Sequence, residues 1–314
     1  MTPIITVTLN PALDISTATA AVRPGRKLRC EMPRVDPGGG GINVSRVIRR
    51  LGGESLALVA LAGATGERLR ASLEAEGIAA RFLRAPGETR ESVSVIDRET
   101  GEQYRFVMPG PAWSDEEGDA ALDAAATACP HSALVVLSGS LPPGLPADLP
   151  ARLASRLKVR GAGLILDTSG APLEAARRPA QPALILRMDD VEAEALARRP
   201  LPGRIDSADF AQSLVRGGAA EIVIIARGPD GSVLATDEAR HFCRAARVPV
   251  VSKTGAGDSF LAAFTLALAG EADLPTALSA GVAAASAAVM TEATELCSAE
   301  DAQRLIPECP CETI

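Results

Sequence analysis

Short apolar runs punctuate the whole chain, and amphipathic stretches fill the intervals between them. The runs are IITVTL (4–9), SLALVAL (55–61), ALVVLSG (133–139), GLILD (163–167), ALIL (183–186) and EIVIIA (221–226). They are apolar at successive rather than alternate positions, as strands covered on both faces must be. Residues 41–51, 66–76 and 147–160 instead carry one apolar stripe each, the pattern of helices laid on a sheet. This alternation predicts an α/β fold with a mainly parallel central sheet and helices on both faces. Helices are expected to close the chain at 258–269, 274–290 and 299–305.

Two stretches depart from the pattern. DISTATAAVRPGRKLRCEMPRV (14–35) and ESVSVIDRETGEQYRFVM (91–108) alternate polar and apolar residues, and the second turns at RETGE, a hairpin signal. Together they predict a small separate sheet. Its apolar face must be covered, either over the main cleft or against another subunit. With no long linker and no repeat, the chain reads as one domain over 1–314, with a lid formed by about 14–36 and 90–109.

Only 3% of residues are aromatic although 47% are hydrophobic, so the core must be built from Ala, Leu, Val and Ile. A net charge of −7 argues against a nucleic-acid partner, whose phosphates select basic surfaces. No basic segment leads into an apolar one as in a signal peptide, and the Ala-rich run at 277–290 is too short to span a membrane. Six cysteines without metal-ligand spacing fit a reduced, cytoplasmic protein. Cys309 and Cys311, in the tail PECPCETI, read as part of a frayed terminus.

Ligands of open parallel sheets gather at the C-terminal ends of the strands. PGGGGINVSRV (37–47) runs four glycines straight into a helix there, letting backbone approach a small ligand, and Asn43 on the first turn can bond sugar hydroxyls. LSGSLPPG (137–144) ends another strand with small polar residues. Neither a Walker P-loop nor a G-x-G-x-x-G fingerprint after the first strand is present. In VVSKTGAGDSFLAAF (250–264), Gly255-Ala256-Gly257 leaves backbone N–H groups at a helix N-terminus, an anion site, with Asp258 beside it. The helix dipole is expected to lower the Asp258 pKa and make it a weak base. Phosphoryl transfer tolerates a weak base, since it depends mostly on positioning and charge stabilisation.

GGGGINVSR, SGSLPPG and TGAGDSF, in this order, resemble the ribokinase-like (PfkB) sugar kinases over essentially the whole chain. KLRCEMPRVDPGGGGINV, GEQYRFVMPG and LCSAEDAQ resemble more narrowly the minor-isozyme type of 6-phosphofructokinase. The resemblance implies a three-layer α/β/α sandwich with a small β-sheet lid, and a homodimer made through that lid. It implies ATP-dependent phosphorylation of fructose 6-phosphate at its 1-hydroxyl, with Mg²⁺. Asp14, Gly39, Gly40, Gly41 and Asn43 match the sugar site. Arg90, Lys27 and Arg29 match the phosphate region, in part across the dimer interface. Ser138 and Gly139 match the cleft floor. Gly255, Ala256 and Gly257 would be the anion hole and Asp258 the base. Ala226, Arg227, Gly228, Pro229 and Gly231 match the loop along the nucleotide, with Ser286 on the same side.

The chain also departs from the family. Where K-P-N-x-x-E is usual, it has Arg187, Met188 and Asp189, and then Glu192, which matches the Mg²⁺-organising glutamate. Arg187 keeps the charge of the lysine but not its shape. A carboxylate at Asp189, about 4 Å from a phosphate, would cost roughly 4 kcal/mol at an effective dielectric near 20. Thr291, Ala293 and Glu295 replace the Asn, Gly and Arg that help form a monovalent-cation (K⁺) site in the minor isozymes, so K⁺ activation is not expected. Related 1-phosphofructokinases and tagatose-6-phosphate kinases usually carry a lysine at the position of Gly40, and they are the nearest rival reading. The second rival, motivated by Arg187 and Asp189, is a catalytically weak sugar-phosphate sensor. His131, His241 and Lys253 read as surface residues, and Trp113 and Tyr104 as packing for the lid or a helix.

Overall fold

A computed structural model of the chain describes residues 1–292 and 295–314. The first half runs β1 (Ile4–Thr8), β2 (Ala12–Thr19), β3 (Arg34–Gly38), α1 (Gly40–Arg50), β4 (Leu56–Leu61), α2 (Gly63–Ala75) and β5 (Ala80–Arg84). Then come β6 (Arg90–Asp97), β7 (Gln103–Val107), α3 (Asp115–Ala128), β8 (Leu134–Ser138), α4 (Leu149–Lys158), β9 (Gly163–Asp167) and α5 (Ala171–Ala175). The remainder is β10 (Ala183–Asp189), α6 (Asp190–Ala197), α7 (Arg204–Arg216), β11 (Ala220–Ala226), β12 (Gly231–Ala235) and β13 (Arg240–Arg244), followed by α8 (Ala256–Ala269), α9 (Leu274–Ala288), α10 (Ala299–Leu305) and β14 (Cys311–Thr313).

All six apolar runs become strands of one sheet, ordered β14-β13-β12-β11-β10-β9-β8-β1-β4-β5. It is parallel from β5 to β11, and β1 sits between β4 and β8. Period two divides each strand between two cores. Val135, Leu137, Leu164 and Leu166 pack on one face with α3, α4 and α7 residues, while Val136, Ile165, Ile185 and Ile224 face α1, α8 and α9 on the other. The second sheet, β3-β2-β6-β7, holds both alternating stretches. Its β6–β7 hairpin is the one signalled by RETGE, and β2 joins β6 in parallel.

Four strands were not legible, and one of them, β5, pairs in parallel with β4 at the far edge of the sheet. β12, β13 and β14 extend the sheet antiparallel beyond β11. The tail is therefore not frayed: Cys309 is buried, and Cys311–Thr313 pairs with β13. These strands are short and their neighbours polar, so no run of alternation announced them. β10 continues three residues beyond Leu186, and α2 begins earlier than its apolar stripe. Trp113 is buried in the core, while His131 and Lys253 lie exposed. Among the described residues, no helix is long and apolar enough to cross a membrane.

With so few aromatics, one pair carries much of the second core. Phe260 and Phe264 stack on successive turns of α8, with centroids 5.8 Å apart and both rings buried. Phe264→Ala should destabilise the fold by about 3–5 kcal/mol in urea titration. A loss under about 1 kcal/mol would show that this layer does not depend on the stack.

Candidate active site

The centre of the cleft is built by backbone contact. Gly39, with φ 127°, caps α1. A Cβ at Gly41 would lie 2.5 Å from Thr8 Oγ1 and 2.7 Å from the Val7 carbonyl oxygen. One at Gly40 would land on Ser138 Oγ and lie 2.9 Å from Gly139 N. Only glycine lets the first turn of α1 rest on the ends of β1 and β8. That seating directs Asn43 toward α8, where its Nδ2 donates to Asp258 Oδ2 at 2.9 Å.

Gly255 caps α8 in the left-handed region, at φ 78°. A Cβ there would lie 2.5 Å from Leu296 Cδ2, so the turn is pressed against the segment after α9. Gly257 faces Arg187, whose Nη1 would be 3.0 Å from a Cβ at that position. Arg187 in turn pairs with Asp167 at 3.3 Å. The N-terminus of α8 thus has a guanidinium on one side and a carboxylate, Asp258, on its own first turn.

The electrostatics reverse one expectation. The Asp258 carboxyl is pushed up to about 6, chiefly because it is buried, with Asp167 and Asp14 adding to the rise and the Asn43 hydrogen bond and Arg187 opposing it. Burial outweighs the lowering expected of the helix N-terminus, and leaves a base matched to near-neutral pH. Asp14 behaves alike. Burial pushes it up to about 6 against the pull of Arg90 and Arg105. Gly38 faces its carboxylate with no room for a side chain.

Arg90 opens β6 beside Asp14 and donates to the Asn10 and Met108 carbonyls at 3.2 Å. Lys27 and Arg29 lie exposed on the β2–β3 connection. Within the chain, no hydrogen bond or ion pair among the described residues ties either side chain to the Asp14 pocket.

On the opposite side, Ala226 ends β11 and Gly228, Pro229 and Gly231 form the turn into β12. The Arg227 side chain turns inward, with Nη2 also reaching Asp230 of the turn at 3.4 Å. It is buried, donating to the Leu201 and Pro202 carbonyls at 3.0 Å and to Ser207 Oγ at 2.5 Å. The loop therefore offers backbone rather than this guanidinium to a ligand. Ser286, on α9, accepts from Ala246 N at 3.3 Å and braces the chain after β13.

Asp189 has a different role from the one its charge suggested. It is the N-cap of α6, accepting from Glu192 N at 2.8 Å, while Glu192 Oε2 accepts from Asp189 N at 2.9 Å. Asp and Asn cap helices about equally well, so the replacement keeps this reciprocal bond. Burial pushes the Glu192 carboxyl above its ordinary value, while the Asp189 N–H opposes the rise.

Sequence reasoning missed Asp167 and Arg46. Asp167 ends β9, and a carboxylate at the C-terminal end of a parallel strand was the available signal. Arg46 is buried in α1, bonded to Glu76 at 2.7 and 2.8 Å and reaching Asp36 at 3.8 Å, and it holds β3 against α1 and α2. No spacing marked it. In the altered cation region, Thr291 Oγ1 donates to the Leu296 carbonyl at 3.1 Å and Glu295 pairs with Arg34 at 2.8 Å. Ala293 lies outside the described residues.

Residues 8–301 match the family model of the pfkB family carbohydrate kinases. The chain belongs to the pfkB family. It is 40% identical over 301 residues to the ATP-dependent 6-phosphofructokinase isozyme 2 of Mycobacterium tuberculosis, covering 96% of this chain and 88% of that one. It is 32% identical to a 1-phosphofructokinase of Bacillus subtilis, covering 97% and 98% of the two chains. Phosphofructokinase-2 from Escherichia coli, solved with fructose 6-phosphate, superposes with a TM-score of 0.91 at 37% identity, covering 98% and 99%. The fold is ribokinase-like, and the protein is a sugar-phosphate kinase, a phosphotransferase with ATP as co-substrate.

Kinases of this family typically use Mg²⁺, and the donor set suits it. The Asp167 carboxylate is close enough to add to the rise of the Glu192 carboxyl, and both present hard oxygen donors beside Arg187. No group of three or more candidate ligands gathers among the described residues.

The two raised carboxylates generate a prediction. A group whose folded pKa stands near 6, against 3.8 in the unfolded chain, stabilises the fold fully below 3.8 and loses that contribution as pH rises through 6. Asp14→Asn and Asp258→Asn should therefore raise Tm at pH 7, and the gain should vanish near pH 4. Melting curves at both pH values check this; a lower Tm at pH 7 for both variants would contradict it.

Proposed function

We propose that this kinase phosphorylates fructose 6-phosphate at its 1-hydroxyl, giving fructose 1,6-bisphosphate and ADP. The observation that carries the reading is Asp258, held by Asn43 at 2.9 Å beside the Gly255-Ala256-Gly257 helix start. Asp14, Asn43 and the backbone of Gly39 to Gly41 bind the sugar hydroxyls, on a floor of Ser138 and Gly139. Arg90 takes the 6-phosphate, with Lys27 and Arg29 completing that subsite from the lid. Asp258 accepts the proton of the 1-hydroxyl as its oxygen attacks the γ-phosphorus. The N–H groups of the helix start and the Arg187 guanidinium stabilise charge developing on the transferred group. Glu192 and Asp167 would hold Mg²⁺, which when bound would neutralise charge on the ATP phosphates. The backbone of Ala226 to Gly231 and Ser286 line the nucleotide side.

Crowding at Gly40 supports fructose 6-phosphate over the rival sugars. The lysine that 1-phosphofructokinases and tagatose-6-phosphate kinases carry there would need the space taken by Ser138. The lid, about 14–36 and 90–109, also suits a homodimer in the cytoplasm. It exposes Met32 at 93%, Phe106 at 54% and Val107 at 63%, apolar area that a second copy would cover.

A coupled ADP assay with Mg·ATP tests the assignment. Fructose 6-phosphate should give the highest kcat/KM, and Asp258→Asn should lower turnover at least a hundredfold. Preference for fructose 1-phosphate or tagatose 6-phosphate would replace the substrate; binding of sugar phosphate without turnover would favour the sensor. The pH profile adds a second check. The kcat/KM should fall below about pH 6 as Asp258 and Asp14 take up protons. Asn43→Ala removes a bond that favours the Asp258 carboxylate, and should move the acid limb to higher pH.

A further inference from the structure

The tail strand assembles a feature that lies apart from the cleft. Cys243 on β13 is directly opposite Cys311 on β14. Arg244 N donates to the Pro310 carbonyl at 3.3 Å, and Ile314 N donates to the Arg240 carbonyl at 3.1 Å. In an antiparallel ladder, bonds in those places leave 243 and 311 as a non-hydrogen-bonded pair. Such pairs bring Cα atoms to about 4.5 Å with side chains on one face, inside the roughly 4.4–6.8 Å span that a disulfide bridges. The two thiols are close enough to perturb each other's titration.

The thiols are unequal. Cys243 is fully buried, its Sγ 3.1 Å from the Cys309 carbonyl oxygen, whereas Cys311 is partly open to solvent. Their interaction pushes the Cys311 thiol below its ordinary value and the Cys243 thiol, which is also buried, above it. Cys309, the third thiol of the cluster, is buried against Ser286 and Ala246.

We propose that Cys243 and Cys311 form a reversible cross-strand disulfide, with Cys311 as the thiol attacked by a peroxide and Cys243 as the one that resolves it. The Cys311 thiolate attacks a peroxide oxygen and breaks the O–O bond. Its sulfur loses two electrons to become a sulfenic acid, and the departing hydroxide takes up a proton as water. The Cys243 sulfur then displaces the sulfenic hydroxyl, which leaves as water with the Cys243 proton. Two thiols and one hydrogen peroxide become one disulfide and two waters. The bond closes a covalent ring containing α8, α9 and α10, and so ties the helix bearing Asp258 to the last strand of the sheet.

The test uses the full chain, reduced and then given one equivalent of hydrogen peroxide, alkylated with N-ethylmaleimide and mapped by mass spectrometry after proteolysis. The expected product is a Cys243–Cys311 linked peptide pair, two hydrogens lighter, reversed by dithiothreitol and formed before the exposed Cys30 reacts. In Cys243→Ala, dimedone should trap a sulfenic acid on Cys311. A Cys309–Cys311 link, oxidation of Cys30 ahead of the pair, or alkylation of both Cys243 and Cys311 in the treated protein would overturn the proposal. The map of the unsubstituted chain decides this even where the variant does not fold.

Discussion

The site depends on one close approach, that of the first turn of α1 to the ends of β1 and β8. Side chains at residues 40 and 41 would hold the helix away from Ser138 and from the Val7 carbonyl. Without that contact, Asn43 would not reach Asp258, and α1 and α8 would not share a hydrogen bond across the cleft. The run of four glycines is thus a steric requirement before it is a source of flexibility. Arg46, one turn further along the same helix, fixes α1 against β3 and α2 through Glu76 and Asp36.

Around that contact the protein holds carboxylates where water is scarce. Asp14, Asp167, Glu192 and Asp258 converge with Arg187 and Arg90 as the nearby counter-charges. Burying like charges together is unfavourable, and the raised pKa values of Asp14 and Asp258 express that cost. A site evolved for fold stability alone would have placed neutral side chains there. Arg187 suits this setting better than a lysine, because its planar fork can face Asp167 while stacking near Phe260.

Six of the seven parallel strands were legible because burial on both faces forces continuous apolar runs; the seventh, β5, is a half-exposed edge strand with no such run. The glycine clusters were legible because only backbone geometry demands them. What escaped notice was set by partners distant in sequence. β12 to β14 are strands because β11 offers them an edge, not because their own pattern insists. Asp189 looked like a misplaced charge until its bond to Glu192 N was visible. Arg227 looked like a ligand of the nucleotide until its guanidinium was found among the carbonyls of Leu201 and Pro202. The pKa of Asp258 was misjudged in sign because a sequence displays the helix N-terminus but not the burial.

The way the small sheet is attached has a mechanical meaning. Only Leu9, Asn10 and Pro11 separate β1 from β2, and β3 passes through Gly39 directly into α1. Neither junction has the slack of a hinge. A displacement of the four strands is therefore a displacement of Asp14 and of the glycine turn together, and through Asn43 it becomes a strain on Asp258. The small sheet and the Asn43–Asp258 hydrogen bond are thus joined through a single short stretch of backbone. The exposed apolar surface of the four strands is therefore continuous, through backbone alone, with the turn that seats α1.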